Sequence, residues 1–161
     1  METILAPLPL GTSDFSALRK SGQIYVDKTR LIYTLASKRQ KFFLSRPRRF
    51  GKSLLLSTFE SLFKYGLRDF HGLEIESLWK DENTYQVIRL DFSNLKDFSS
   101  VEEFSELLDQ YLLDTLTVNR LVSPIKTDKE GLRAFIGWLA LQADNSVVLL
   151  LDEYDLSLIH I

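Results

Sequence analysis

Gly51-Lys52-Ser53 is the stretch whose residue types, taken together, can do chemistry. A glycine lets the backbone turn tightly, a lysine ammonium neutralises phosphate, and a serine hydroxyl ligates a hard divalent cation. The apolar run Phe42-Phe43-Leu44 lies ahead of it, and Leu55, Leu56, Phe59, Leu62 and Phe63 follow at helical spacing. The order strand, loop, Gly-Lys-Ser, helix is that of a phosphate-binding P-loop. Amides at a helix start have no intrahelical partner and attract an anion. Lys52 is then expected to reach the β- and γ-phosphates of a nucleotide and Ser53 to hold Mg²⁺.

The loop departs from the usual pattern in one respect. Arg46 stands where the first glycine belongs, and Pro47 after it has no N–H to donate. In place of a glycine-lined cradle the segment brings Arg46, Arg48 and Arg49, and guanidinium groups suit phosphate. The expected nucleotide-binding set is therefore Arg46, Arg48, Arg49, Phe50, Gly51, Lys52, Ser53 and Leu54. A solvated basic loop, or a patch for nucleic acid, would read the same way if this segment stood alone.

It does not stand alone. Val147-Val148-Leu149-Leu150-Leu151 runs into Asp152-Glu153. Five apolar residues in succession fit a strand buried on both faces, with carboxylates at its C-terminal end, where open α/β sheets bind ligands. Asp152 is expected to share the Mg²⁺ with Ser53, and Glu153 to orient the attacking water. An acidic turn after a buried strand is the plain alternative. Both elements in this order point to an α/β fold, a P-loop NTPase-type parallel sheet flanked by helices; its truncation after the Walker B strand is what the family resemblance given next implies.

With these residues in view, the chain resembles the AAA-ATPase-like family of bacterial and archaeal proteins. The resemblance is carried by "RPRRFGKS" at 46–53, "YVDKT" at 25–29 and "LLDEYD" at 150–155. Leu8-Pro9-Leu10-Gly11 and Asp14-Phe15 add to it, so that it runs from about residue 8 to 155. It implies ATP as the nucleotide, and places Asp27 and Lys28 near it; a simple cap at Asp27 and a surface lysine at 28 is the other reading. It also implies a restriction-endonuclease-like nuclease domain as a frequent companion in the full-length protein.

Composition fits a globular protein: 45% of the 161 residues are hydrophobic, eleven of them Phe, and no Cys is present for a disulfide or a thiolate zinc site. No stretch approaches the apolar length of a membrane span, which makes a cytoplasmic location the expectation. Net charge is −2, yet Lys28 to Phe59 carries nine Lys or Arg and no acid. That concentration steers polyphosphate and nucleic acid alike.

The elements that must position these residues follow from patterning. Ser13 is expected to cap a helix through Lys20 that Ser21-Gly22 ends, and Asp27 one over about 28–38 with Leu31, Ile32 and Leu35 buried. Phe70, Leu73, Ile75 and Trp79 should anchor a connector, in which His71 is a surface residue. Residues 85–92 read as a strand, with Asp91 as a turn-former and lesser site candidate. Ser100 with Glu103, and Thr127 with Glu130, are capping boxes. The helices after them should bury Val101, Phe104, Leu107, Leu108, Tyr111 and Leu112, and then Leu132, Phe135, Ile136, Leu139 and Ala143.

The domain reading is a lead-in over 1–39, a partial ATPase-like domain over 40–155, and a tail at 156–161 that departs from the family's pattern. Strands expected beside 42–44 by resemblance would lie beyond the tail, so the piece reads as an N-terminal fragment. ATP binding with Mg²⁺-dependent hydrolysis in the complete protein is the leading functional reading. A nucleic-acid-associated module using the basic 38–52 stretch, or a nucleotide-binding switch with little turnover, are the alternatives.

Overall fold

The computed structural model describes residues 6–45, 47, 49–95, 98–121, 131–144 and 146–153. Arg46, Arg48, the Thr127–Glu130 box, Asn145 and the 156–161 tail lie outside them. The chain divides into two compact units, Met1–Val87 and Ile88–Ile161.

The first unit is helical. α1 (Phe15–Lys20), α2 (Thr29–Ala36), α3 (Lys52–Tyr65), a 3₁₀ turn (Gly66–Asp69) and the short α4 (Ile75–Leu78) surround one core. That core is Phe15, Ile32, Ala36, Leu62, Phe70, Leu73, Ile75 and Trp79. Each large side chain buried there contributes roughly 1.5–3 kcal/mol. Phe15 packs on Phe70 at 4.8 Å and on Tyr25 at 5.1 Å between ring centroids. α1 starts one residue later than Ser13 capping implies: Asp14 accepts from Ala17 N at 2.8 Å and is the cap. In α2 the buried face is Thr29, Ile32 and Ala36, while Leu31 is exposed.

The second unit holds the sheet. β1 (Gln86–Asp91), whose first two residues belong to the preceding unit, and β2 (Val147–Asp152) form a two-stranded parallel pair. α5 (Val101–Val118) and α6 (Gly131–Ala140) connect them. Ile88 and Leu90, two apart on one face of β1, pack against Leu112 and Leu116 of α5 and Ala134, Phe135 and Trp138 of α6. Ser100 caps α5, accepting from Glu103 N at 3.1 Å. The box is displaced at its other half, because Glu103 Oε2 accepts from Ser99 N at 2.7 Å. The buried face of α6 is Gly131, Ala134, Phe135 and Trp138, so Leu132 and Ile136 point to solvent, against expectation.

Two strand expectations are corrected. Residues 41–45 form no strand: the sheet of the described residues has two members, and without a hydrogen-bonded ladder an apolar run gains nothing by pairing. Phe42 and Phe43 are 50% and 69% exposed instead. β2 is not buried on both faces either. Leu150 and Asp152 are buried while Leu149 and Leu151 are exposed, the alternation of a strand covered on one side. The described residues form a mixed helix and strand fold with a two-stranded parallel sheet flanked by helices.

Candidate functional site

α3 begins where the Gly-Lys-Ser reading places a helix. Gly51 is its N-cap in the left-handed region, φ 72°, a conformation that glycine adopts without strain. Among the described residues no side-chain cap hydrogen bond closes this end, and no acid lies in the first turn. The amides of Lys52, Ser53 and Leu54 therefore begin a 14-residue helix whose dipole favours an anion. Arg49 is also left-handed, φ 67°, which for a residue with a Cβ costs roughly 1–2 kcal/mol. Arg49, Phe50 and Gly51 are exposed and Lys52, Ser53 and Leu54 partly buried.

The face of α3 turned into its unit is small and polar: Ser57, Thr58 and Ser61 are buried beside Leu62. Ser57 Oγ accepts from Phe15 N at 2.9 Å, and Ser61 Oγ donates to Asp69 Oδ2 at 2.7 Å. Ser16 Oγ reaches the same Asp69 oxygen. Arg68 donates from Nε and Nη2 at 3.1 and 3.0 Å. Arg68 above all, with Ser16 and Ser61, holds the Asp69 carboxyl well below the usual carboxylate range against the opposing effect of burial. α1, the start of the lead-in, is thus bolted to the helix that carries Lys52 and Ser53.

Asp27 proves to be a structural carboxylate. Its Oδ1 accepts from Thr29 N and Oγ1 at 2.8 and 2.7 Å, and its Oδ2 from Glu74 N at 2.8 Å. Thr29, fully buried, accepts in turn from Ile75 N at 3.0 Å. The Asp-Lys-Thr run therefore fastens α2 to α4, and Lys28 is exposed. His71 is exposed, facing Glu76 Oε1 at 3.0 Å.

In the second unit, Asp152 ends β2 with 4% of its side chain exposed, and Arg89 Nη2 donates to its Oδ2 at 3.1 Å. Glu153 follows with a left-handed backbone, φ 53°. Strain of this kind persists only where the surroundings impose it, and it collects at functional positions. Asp91 makes the turn it was read to make, accepting from Ser93 N at 2.9 Å, and its own N–H donates to Tyr111 Oη at 2.7 Å. Burial raises the Tyr111 phenol above its ordinary range.

Among the candidates, Gly51, Lys52, Ser53 and Leu54 meet at one helix start and Asp152 with Glu153 at one strand end, each group within its own unit. Arg89, Thr29 and Asp69 were not foreseen. Arg89 did leave a signal, a lone cation inside the run Val87-Ile88-Arg89-Leu90. Among the described residues no group of three or more His, Asp or Glu converges as a metal site, and no helix is long and apolar enough to cross a membrane.

Comparison with known proteins bears on these motifs. The chain is 35% identical over 153 residues to an Azotobacter chroococcum mcd 1 protein named "Uncharacterized protein in vnfD 5'region". That alignment takes in 92% of this chain and 29% of the relative, so the chain spans less than a third of that protein's length. No solved structure gives a significant match. Residues 9–161 match the AAA-ATPase-like family, described as a predicted AAA-ATPase, and the matched range includes the 156–161 tail. On that match over nearly its whole length, the chain belongs to the AAA-ATPase-like family.

Proposed function

We propose that this chain binds ATP through a variant Walker A loop at 46–54 and a Walker B strand ending at Asp152, and that the complete protein hydrolyses it with Mg²⁺. The observation that carries this reading is the start of α3: Gly51 left-handed, Lys52 and Ser53 next, and no side-chain cap hydrogen bond at that end among the described residues. Family membership supports nucleotide binding in general. ATP over GTP follows from the family resemblance, since no guanine-reading motif stands in the sequence.

The donors suit the cation: a hydroxyl at Ser53 and a carboxylate at Asp152 are the hard oxygen ligands Mg²⁺ takes. When bound, Mg²⁺ would neutralise charge on the phosphate oxygens. Lys52 supplies positive charge to the β- and γ-phosphates, and the arginines of the loop add to it from side chains where glycine amides are missing. Glu153, its backbone held left-handed, orients water for attack. Little covalent chemistry is asked of the protein, only positioning and charge.

Calorimetric titration of MgATP into the chain tests the assignment, with Lys52→Ala as control. Saturable binding that disappears in a folded Lys52→Ala variant is the expected result; equal affinity in both sinks it.

One observation favours a second reading. Phe42, Phe43 and Phe50 are exposed within the basic 38–52 stretch, and exposed aromatics among cations suit the stacking of single-stranded bases. Under that reading the chain binds oligonucleotide with steep salt dependence that excess MgATP leaves unchanged. A tight-binding switch without turnover is distinguished by Glu153→Gln, which it tolerates and an ATPase does not.

A further inference from the structure

Arg89 lies between Ile88 and Leu90, both buried, on β1, the strand that supplies both of them to the second unit's core. A cation in that position has a specific companion: Nη2 is 3.1 Å from Asp152 Oδ2, with 28% of the arginine side chain and 4% of the aspartate side chain exposed. A carboxylate so buried is expensive to leave without a counter-charge. The end of β1 is itself fixed, because Asp91 N donates to Tyr111 Oη and Asp91 Oδ1 accepts from Ser93 N. Of the two partners, the arginine side chain is the less enclosed, and the carboxylate it holds is the more deeply buried.

A divalent cation ligated by Asp152 needs the same carboxylate that Arg89 now engages. A guanidinium held against that carboxylate also repels an incoming cation. We propose that Arg89 is a counter-ion latch: it holds Asp152 in its buried position while no cation is ligated, and gives up the carboxylate when Mg²⁺ arrives. Arg89 then sets the affinity of Asp152 for the metal, and so the nucleotide level at which the site fills. The inference rests on Asp152 being a metal ligand, as proposed above.

The test follows Mn²⁺ binding by the loss of its free electron paramagnetic resonance signal beyond that caused by the same ATP without protein, with thermal unfolding of the same samples. Wild type, Arg89→Met, Asp152→Asn and the double variant are compared. The latch requires Arg89→Met to melt lower than wild type without ligand, yet to bind Mn²⁺ on the order of tenfold more tightly and gain more from it in Tm. Asp152→Asn should bind Mn²⁺ more weakly, and adding Arg89→Met to it should change nothing.

A lower melting temperature in Arg89→Met with Mn²⁺ affinity unchanged or weakened overturns the latch, leaving Arg89 a structural or phosphate-facing residue. Loss of affinity in Asp152→Asn alongside that result keeps the metal assignment standing and removes the latch alone. Wild-type affinity in Asp152→Asn removes both. Should Arg89→Met not fold, Arg89→Lys keeps the charge but loses the guanidinium fork. A modest tightening supports the latch in that variant, and wild-type affinity overturns it.

Discussion

Asp69 joins three elements through one carboxylate. Ser16 of α1, Ser61 of α3 and Arg68 of the 3₁₀ turn all donate to it, and Arg68 lies 3.7 Å above the Tyr65 ring. Because its folded pKa is depressed, this group contributes stability that is complete above its unfolded pKa of about 3.9 and is lost as pH falls below that value. Asp69→Asn keeps the shape and removes the charge. It should cost about 1.5–3 kcal/mol at neutral pH, the range for hydrogen bonds to a charged group. Urea titrations from pH 7 down to 2 should show the gap between wild type and variant closing below about pH 4. A gap constant with pH would mean that the carboxylate's charge is not what holds α1 against α3. The buried serines on α3 explain why this hub was not foreseen: Ser57, Thr58 and Ser61 look like a solvated face until a second helix is laid on them.

Helix packing in the second unit turns on one missing side chain. A Cβ built on Gly131 would overlap the backbone carbonyl of Asp109, so α6 starts against α5 at a distance only glycine permits. Asp109 Oδ1 accepts from Leu132 N at 2.9 Å across the same crossing. Gly131→Ala pits two effects against each other. Alanine is better in a helix by about 1 kcal/mol, whereas overpacking costs typically 1–3 kcal/mol. With backbone as the obstacle, overpacking wins, and the urea midpoint should fall; a rise would mean that the helices separate without strain. This close approach also rotates α6, which is why Leu132 and Ile136, apolar at helical spacing, end up exposed. Periodicity located every helix among the described residues that it was asked to locate, but not which stripe each would bury, because that depends on the partner. It failed at Phe42-Phe43-Leu44 for a related reason: a strand exists only through its neighbours, and apolar residues in succession do not supply them. The start of α3 was legible because its signals are local, a glycine able to take φ 72° and a helical run behind it.

For the molecule as a whole, the two cores share no residue. Every member of the first lies at or before Trp79, and every member of the second at or after Ile88. The functional candidates divide in the same way, with Lys52 and Ser53 on one side of Val87 and Asp152 and Glu153 on the other. Cooperativity within each core does not by itself require cooperativity between them. Phe135→Ala removes a buried ring from the second core and should cost about 3–5 kcal/mol there. Native-state hydrogen exchange on this variant should show faster exchange in α5, α6 and β2, with α1 and the interior of α3 protected as in wild type. Equal loss of protection throughout would mean that the chain opens as one unit. The distinction matters for the nucleotide experiments. If protection in α3 survives damage to the second core, then affinity lost in Lys52→Ala, with α5, α6 and β2 still protected, belongs to the start of α3 itself, and affinity changed in Arg89→Met belongs to the end of β2.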